Sequence, residues 1–192
     1  MKTCLLSATT LIALATAPAF AGGFGSYTGT GDWTGPSVGL QFGNLDADTS
    51  GAAISSGDDS VYGLTAYYDY DFGSFVLGGG IELDQTDTAL RNAAGATVAT
   101  IDSVNRFALR GGIDGGRNFY YVTAGVADAD TEAGAAAPGD SSGSFYGIGY
   151  EVFITDLVTA SAKALRHDFD SFDIGGLEAE ATTIQLGINM RF

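Results

Sequence analysis

Residues 182–192 read TTIQLGINMRF. Ile184, Leu186, Ile188, Met190 and Phe192 fall on one side of a two-residue repeat, and Thr183, Gln185, Gly187, Asn189 and Arg191 on the other. A period of two marks a β-strand with one apolar and one polar face. Chain ends ordinarily fray into polar residues, whereas this one finishes its alternation on a Phe.

Seven further segments carry the same pattern. Around 36–43, Val38, Leu40 and Phe42 oppose Ser37, Gly39, Gln41 and Gly43. Over 62–72, Leu64, Ala66, Tyr68 and Tyr70 oppose Gly63, Thr65, Tyr67 and Asp69; over 75–84, Phe75, Leu77 and Ile81 oppose Gly78, Gly80 and Glu82. Over 104–114, Phe107, Leu109 and Ile113 oppose Arg106 and Arg110. Over 119–127, Tyr120, Val122 and Val126 oppose Tyr121 and Thr123; over 145–153, Tyr146, Ile148 and Tyr150 oppose Gly147, Gly149 and Glu151. The weakest, 157–167, sets Val158, Ala160, Ala162 and Ala164 against Thr159, Ser161, Lys163 and His167. Short connections (71–74, 114–118, 154–156) alternate with long ones near 44–60, 85–102, 128–143 and 168–180. Tight turns join antiparallel neighbours, so the expected fold is all-β: an eight-stranded antiparallel up-and-down barrel with its long loops at one end.

The other terminus sets the compartment. Met1-Lys2, the apolar run Cys4–Ala17 and the small-x-small triplet Ala19-Phe20-Ala21 have the layout of a secretory signal peptide. The expected division is a leader at 1–21, a flexible lead-in at 22–32 and the barrel at 33–192. The single Cys lies in the leader, so no disulfide is expected in the exported part. With 8 Lys and Arg against 23 Asp and Glu, and a net charge of −15, the chain offers no basic surface for nucleic acid.

A closed eight-stranded barrel can bury its apolar face, or turn it to lipid around a polar interior. The polar faces hold Asp69, Glu82, Arg106, Arg110, Glu151, Lys163 and Arg191, ions of both signs that can pair in a shared lumen. Aromatic residues gather near the ends of the apolar faces, as interfacial girdles require. An open sheet edge in lipid would leave unpaired backbone groups, so the barrel must close. The apolar face is therefore expected outward, the barrel being transmembrane.

On "GIGYEVFITD" (147–156) and "LGINMRF" (186–192), the chain resembles the small eight-stranded outer-membrane barrels: the OmpA transmembrane domain, OmpX, and the opacity-protein and porin-like surface antigens. The resemblance implies an outer-membrane location in a Gram-negative bacterium, short periplasmic turns and longer extracellular loops. It also implies contact with outer-membrane lipid and lipopolysaccharide. Periplasmic chaperones and the barrel-assembly machinery would act during biogenesis, the latter reading Ile188, Met190 and Phe192 as an insertion signal. A monomer without cofactor is expected.

Three roles follow for the candidate residues. The lumenal ions form either a static network or a gate in a narrow porin-like channel for small solutes or cations, with lumenal glycines (39, 43, 78, 80, 147, 149, 187) leaving some room. Most of the acids read as extracellular loop residues. There Asp46 and Asp48, and again Asp128 and Asp130, repeat as "DADT" and are weak candidates for a divalent cation. "DADTSG" (46–51) begins like an EF-hand loop but has Gly57 in place of the bidentate Glu. A lipid-modifying enzyme would need His167, the only His, read as an interfacial residue bonded to a nearby Asp. The expected function is that of a structural, surface-exposed barrel and not of an enzyme.

Overall fold

The structure is a computed structural model, and it describes residues 31–51, 55–133, 141–171 and 177–192. The expected leader and residues 22–30 of the lead-in lie outside the described residues. Eight strands follow one another: β1 (Gly35–Gly51), β2 (Ser55–Asp71), β3 (Phe75–Asn92), β4 (Thr97–Asp114), β5 (Asn118–Ala133), β6 (Ser141–Phe153), β7 (Val158–Ser171) and β8 (Leu177–Arg191). Each pairs antiparallel with the next, and β8 returns to β1, so the barrel is closed. At the seam Ser37 stands opposite Arg191 and Gly51 opposite Leu177. No helix among the described residues is long and apolar enough to cross a membrane.

Two of the short turns share one device. Asp71 Oδ1 accepts the amide N–H of Gly73 at 2.6 Å, and Asp114 Oδ1 that of Gly116 at 2.6 Å. Both glycines have positive φ, +99° and +75°, a conformation that costs an L side chain energy. An Asp two residues before such a Gly makes a self-bonded turn, which ends each strand sharply.

The apolar face points outward all round. Leu109 is 70% exposed, and Leu40, Phe42, Val122, Ile148, Ile184 and Ile188 are exposed with it. Register joins them into one belt: Phe42 lies between Tyr62 and Leu186, Ile81 beside Phe107, and Phe107 beside Val126. Near the short turns the belt is edged by Tyr70, Phe72, Phe75, Tyr120 and Phe192, all exposed. Burying so continuous an apolar surface against acyl chains is what stabilises it.

The strands run well past the ends suggested by alternation. Regions near 44–60 and 85–102 read as loops, but β1 continues to Gly51, and β2 starts again at Ser55; β3 reaches Asn92, and β4 restarts at Thr97. The reason is a change of phase. Within the belt the apolar positions of β1 are Val38, Leu40 and Phe42, facing out; beyond it they are Leu45 and Ala47, facing in. On β5 Val126 faces out, and Ala127 and Ala129 face in; on β8 Ile184 faces out and Ala181 in. A strand leaving an apolar surrounding for water must exchange its faces, and the exchange interrupts the period-two signal.

The expected acidic loops are corrected accordingly. Asp46, Asp48, Asp58, Asp87, Asp128, Asp130, Asp168 and Glu180 are strand residues, on the outer or part-exposed wall above the belt. Asp140 and Asp173 lie outside the described residues. The lead-in is also tighter at its end than expected, since Gly31 is buried.

Candidate functional site: a filled lumen

Asp69, Glu82, Arg106, Arg110, Glu151, Lys163 and Arg191 lie inside the barrel, in two groups. Near the short turns Arg110 donates from Nε and Nη2 to both oxygens of Asp69, at 2.8 and 2.6 Å, and from Nη1 to Glu151 at 3.1 Å. Arg191 reaches the same two carboxylates, at 2.9 and 3.5 Å. Higher up, Arg106 Nη1 pairs with Glu82 at 3.0 Å and Asp84 at 2.6 Å, and Lys163 closes on Glu82. Each layer holds two acids and two bases and is formally neutral. Buried ions cost a great deal of solvation, and the cost is offset only where every charge has a partner and further hydrogen bonds.

Tyr67 connects the layers. Its hydroxyl donates to Glu82 Oε1 at 2.5 Å, and the guanidinium of Arg110 lies 4.0 Å from its ring centre. Gln41 and Gln185 donate to Asp84 at 2.5 and 2.6 Å, and Thr159 donates to Glu151 at 2.6 Å.

Apolar packing covers both layers. At the short-turn end Trp33, Val76, Phe119, Tyr121 and Phe153 form one cluster. Trp33 is 0% exposed, packs 4.5 Å from Phe153 and donates Nε1–H to the carbonyl of Gly116 at 3.0 Å. At the far end Leu45, Val61, Leu90, Val104, Phe145, Leu165 and Phe169 form a second, larger cluster.

The expectation that lumenal glycines leave room is overturned. A Cβ at Gly39 would strike the Asn189 amide, one at Gly78 the Asp69 carboxylate, and one at Gly149 the Tyr121 ring. The space these glycines leave is occupied by the side chains opposite them.

His167 is also corrected. It is 1% exposed and lies inside the barrel, not at the interface. Its partner is Arg106, whose Nε donates to His167 Nε2 at 2.7 Å, and no Asp bonds it among the described residues. Its Nδ1 lies 3.3 Å from the carbonyl oxygen of Ala181, and its ring stacks on Phe145 and Phe169. Asp84, which is not among the seven expected ions, is central to the upper layer. The signal was available, since Asp84 is two residues from Glu82 and so shares its face. Trp33 precedes the first strand, and no period marked it.

The cation candidates do not converge. Residues 46–51 lie in β1, paired with β2 and β8, and an extended paired strand cannot wrap an ion as an EF-hand loop does. Asp128 accepts from Ser142 and Asp130 from Ser103 on β5, far around the barrel from Asp46 and Asp48. Among the described residues no three His, Cys, Asp or Glu side chains are grouped to hold a metal. Ile188, Met190 and Phe192 are exposed on the belt, and the Phe192 amide donates to Pro36 O at 2.9 Å.

The sequence pattern of a family described as "Outer membrane protein beta-barrel domain" matches residues 7–192. No curated protein matches. Among solved structures, Neisserial surface protein A is 11% identical, with a TM-score of 0.51 over 81% of this chain and 97% of its own. Ail, the attachment invasion locus protein of Yersinia pestis, is 12% identical over 82% of this chain and 99% of its own, with a TM-score of 0.44. The outer membrane protease OmpT of Escherichia coli is 9% identical over 82% and 97%, with a TM-score of 0.42. At these identities the first likeness speaks for the fold alone, and the other two carry no argument.

Proposed function

Because the chain belongs to the outer membrane protein β-barrel family, we propose that it is a closed, non-conducting barrel that presents an acidic wall outside a Gram-negative cell. The observation that carries this reading is the lumen: two neutral ion layers held between two apolar clusters. An ion crossing it would have to break buried pairs and then enter apolar packing, each at a large solvation cost. A narrow channel for solutes or cations is the reading this opposes.

A non-enzymatic role is supported by His167. Both its ring nitrogens face partners inside the barrel, so it is not placed to act on a lipid as general acid or base. The short turns are periplasmic in this reading, and the acidic wall rises past the lipopolysaccharide headgroups. Cleavage after Ala21, recognition of Ile188, Met190 and Phe192 by the assembly machinery, and a monomeric state belong to the same proposal.

The test is planar-bilayer recording on the refolded protein. Silence is the expected result. Steady openings that change when Glu82 or Arg110 is replaced would overturn the reading and establish the channel.

A further inference from the structure

Arg106 is anchored at two points that both lead to the inward face of β8. Its Nε donates to His167 Nε2 at 2.7 Å, and His167 faces the carbonyl oxygen of Ala181. Its Nη1 donates to Asp84 Oδ2 at 2.6 Å, and the same oxygen accepts Gln185 Nε2 at 2.6 Å. Ala181, Thr183 and Gln185 are successive inward residues of β8, all buried, so Thr183 stands between the two anchors. In a planar guanidinium Nη2 shares an edge with each anchored nitrogen, which directs it into the same interval.

Three buried polar atoms here have no protein hydrogen-bond partner among the described residues: Arg106 Nη2, Thr183 Oγ1 and Gln185 Oε1. They are a charged donor, a hydroxyl and an acceptor. We propose that they form an internal site for one water molecule. The water accepts from Arg106 Nη2, donates to Gln185 Oε1 and exchanges its remaining hydrogen bond with Thr183 Oγ1. Three bonds are the usual complement of a buried water.

The surroundings select water over other occupants. Glu82 and Asp84 repel an anion, Nη2 repels a cation, and the layer is already neutral. An apolar guest would leave all three groups unpaired. The site completes the hydrogen bonding of a guanidinium whose side chain is 0% exposed, tying β4 to β8 across the lumen.

The test is a high-resolution crystal structure of the refolded barrel grown with bromide. The expected result is one density peak about 2.7–3.2 Å from each of the three atoms, with no anomalous bromide signal. Oxygen-17 relaxation dispersion should count one fewer long-lived water in Thr183→Val and an unchanged number in Thr183→Ser. A bromide peak on Nη2, a direct bond from Nη2 to Gln185 Oε1, or an unchanged count in Thr183→Val would overturn the site. If Thr183→Val does not fold, the native crystal decides alone.

Discussion

The guanidinium of Arg191, near the end of the last strand, lies 5.0 Å from the ring centre of Trp33, two residues before the first. It also donates to the Trp33 carbonyl oxygen and to Asp69. One side chain thus ties the entry segment, β2 and β8 together beside the seam where the barrel closes. Trp33→Ala removes a fully buried ring from this junction. The expected loss is about 3–5 kcal/mol, read by urea unfolding in micelles. Conductance should stay silent, because every ion of the two layers keeps its charged partners.

Arg110 serves Asp69 and Glu151 at once. Arg110→Met leaves the two carboxylates sharing Arg191 as their cation, and breaking a buried pair from one side costs about 3–5 kcal/mol. Adding Asp69→Asn should recover part of that loss, since the uncompensated charge goes with it. A double-mutant cycle on unfolding free energies measures the coupling; simple additivity would show that the layer does not act as a unit.

His167 accepts a hydrogen bond at Nε2, so the proton of its neutral ring belongs on Nδ1, facing Ala181. Nitrogen-15 chemical shifts should show that tautomer. His167→Phe should cost about 1–3 kcal/mol, because Arg106 Nε is left buried and unpaired. His167→Gln, which keeps an acceptor, should cost less. Lipid A composition should not change in either variant.

Leu109 and Asp46 both project outward from strands, but into different solvents. Leu109→Arg places a charge in the belt and should cost about 2–4 kcal/mol if the belt meets the bilayer midplane there. Asp46→Lys, above the belt, should stay within about 0.5 kcal/mol. Unfolding from lipid vesicles compares them. Equal costs would place the belt boundary elsewhere.

The sequence by itself determined the barrel, its direction of facing and the ions of its interior. Those are consequences of period two: once Leu186 and Ile188 point outward, Gln185, Asn189 and Arg191 have to point inward, and the same holds for Glu82 opposite Ile81. Only the tertiary structure decided which inward groups meet. Arg106 comes from β4, Asp84 from β3, His167 from β7 and Gln185 from β8; their contacts depend on the tilt and stagger of the closed sheet, which local alternation does not encode. It also decided where the strands stop. Leu45 and Ala47 continue β1 after the apolar residues have changed faces, and a reading keyed to one phase takes that exchange for a loop. The exchange follows from the surroundings, because a strand is greasy outside where it meets acyl chains and greasy inside where it meets water.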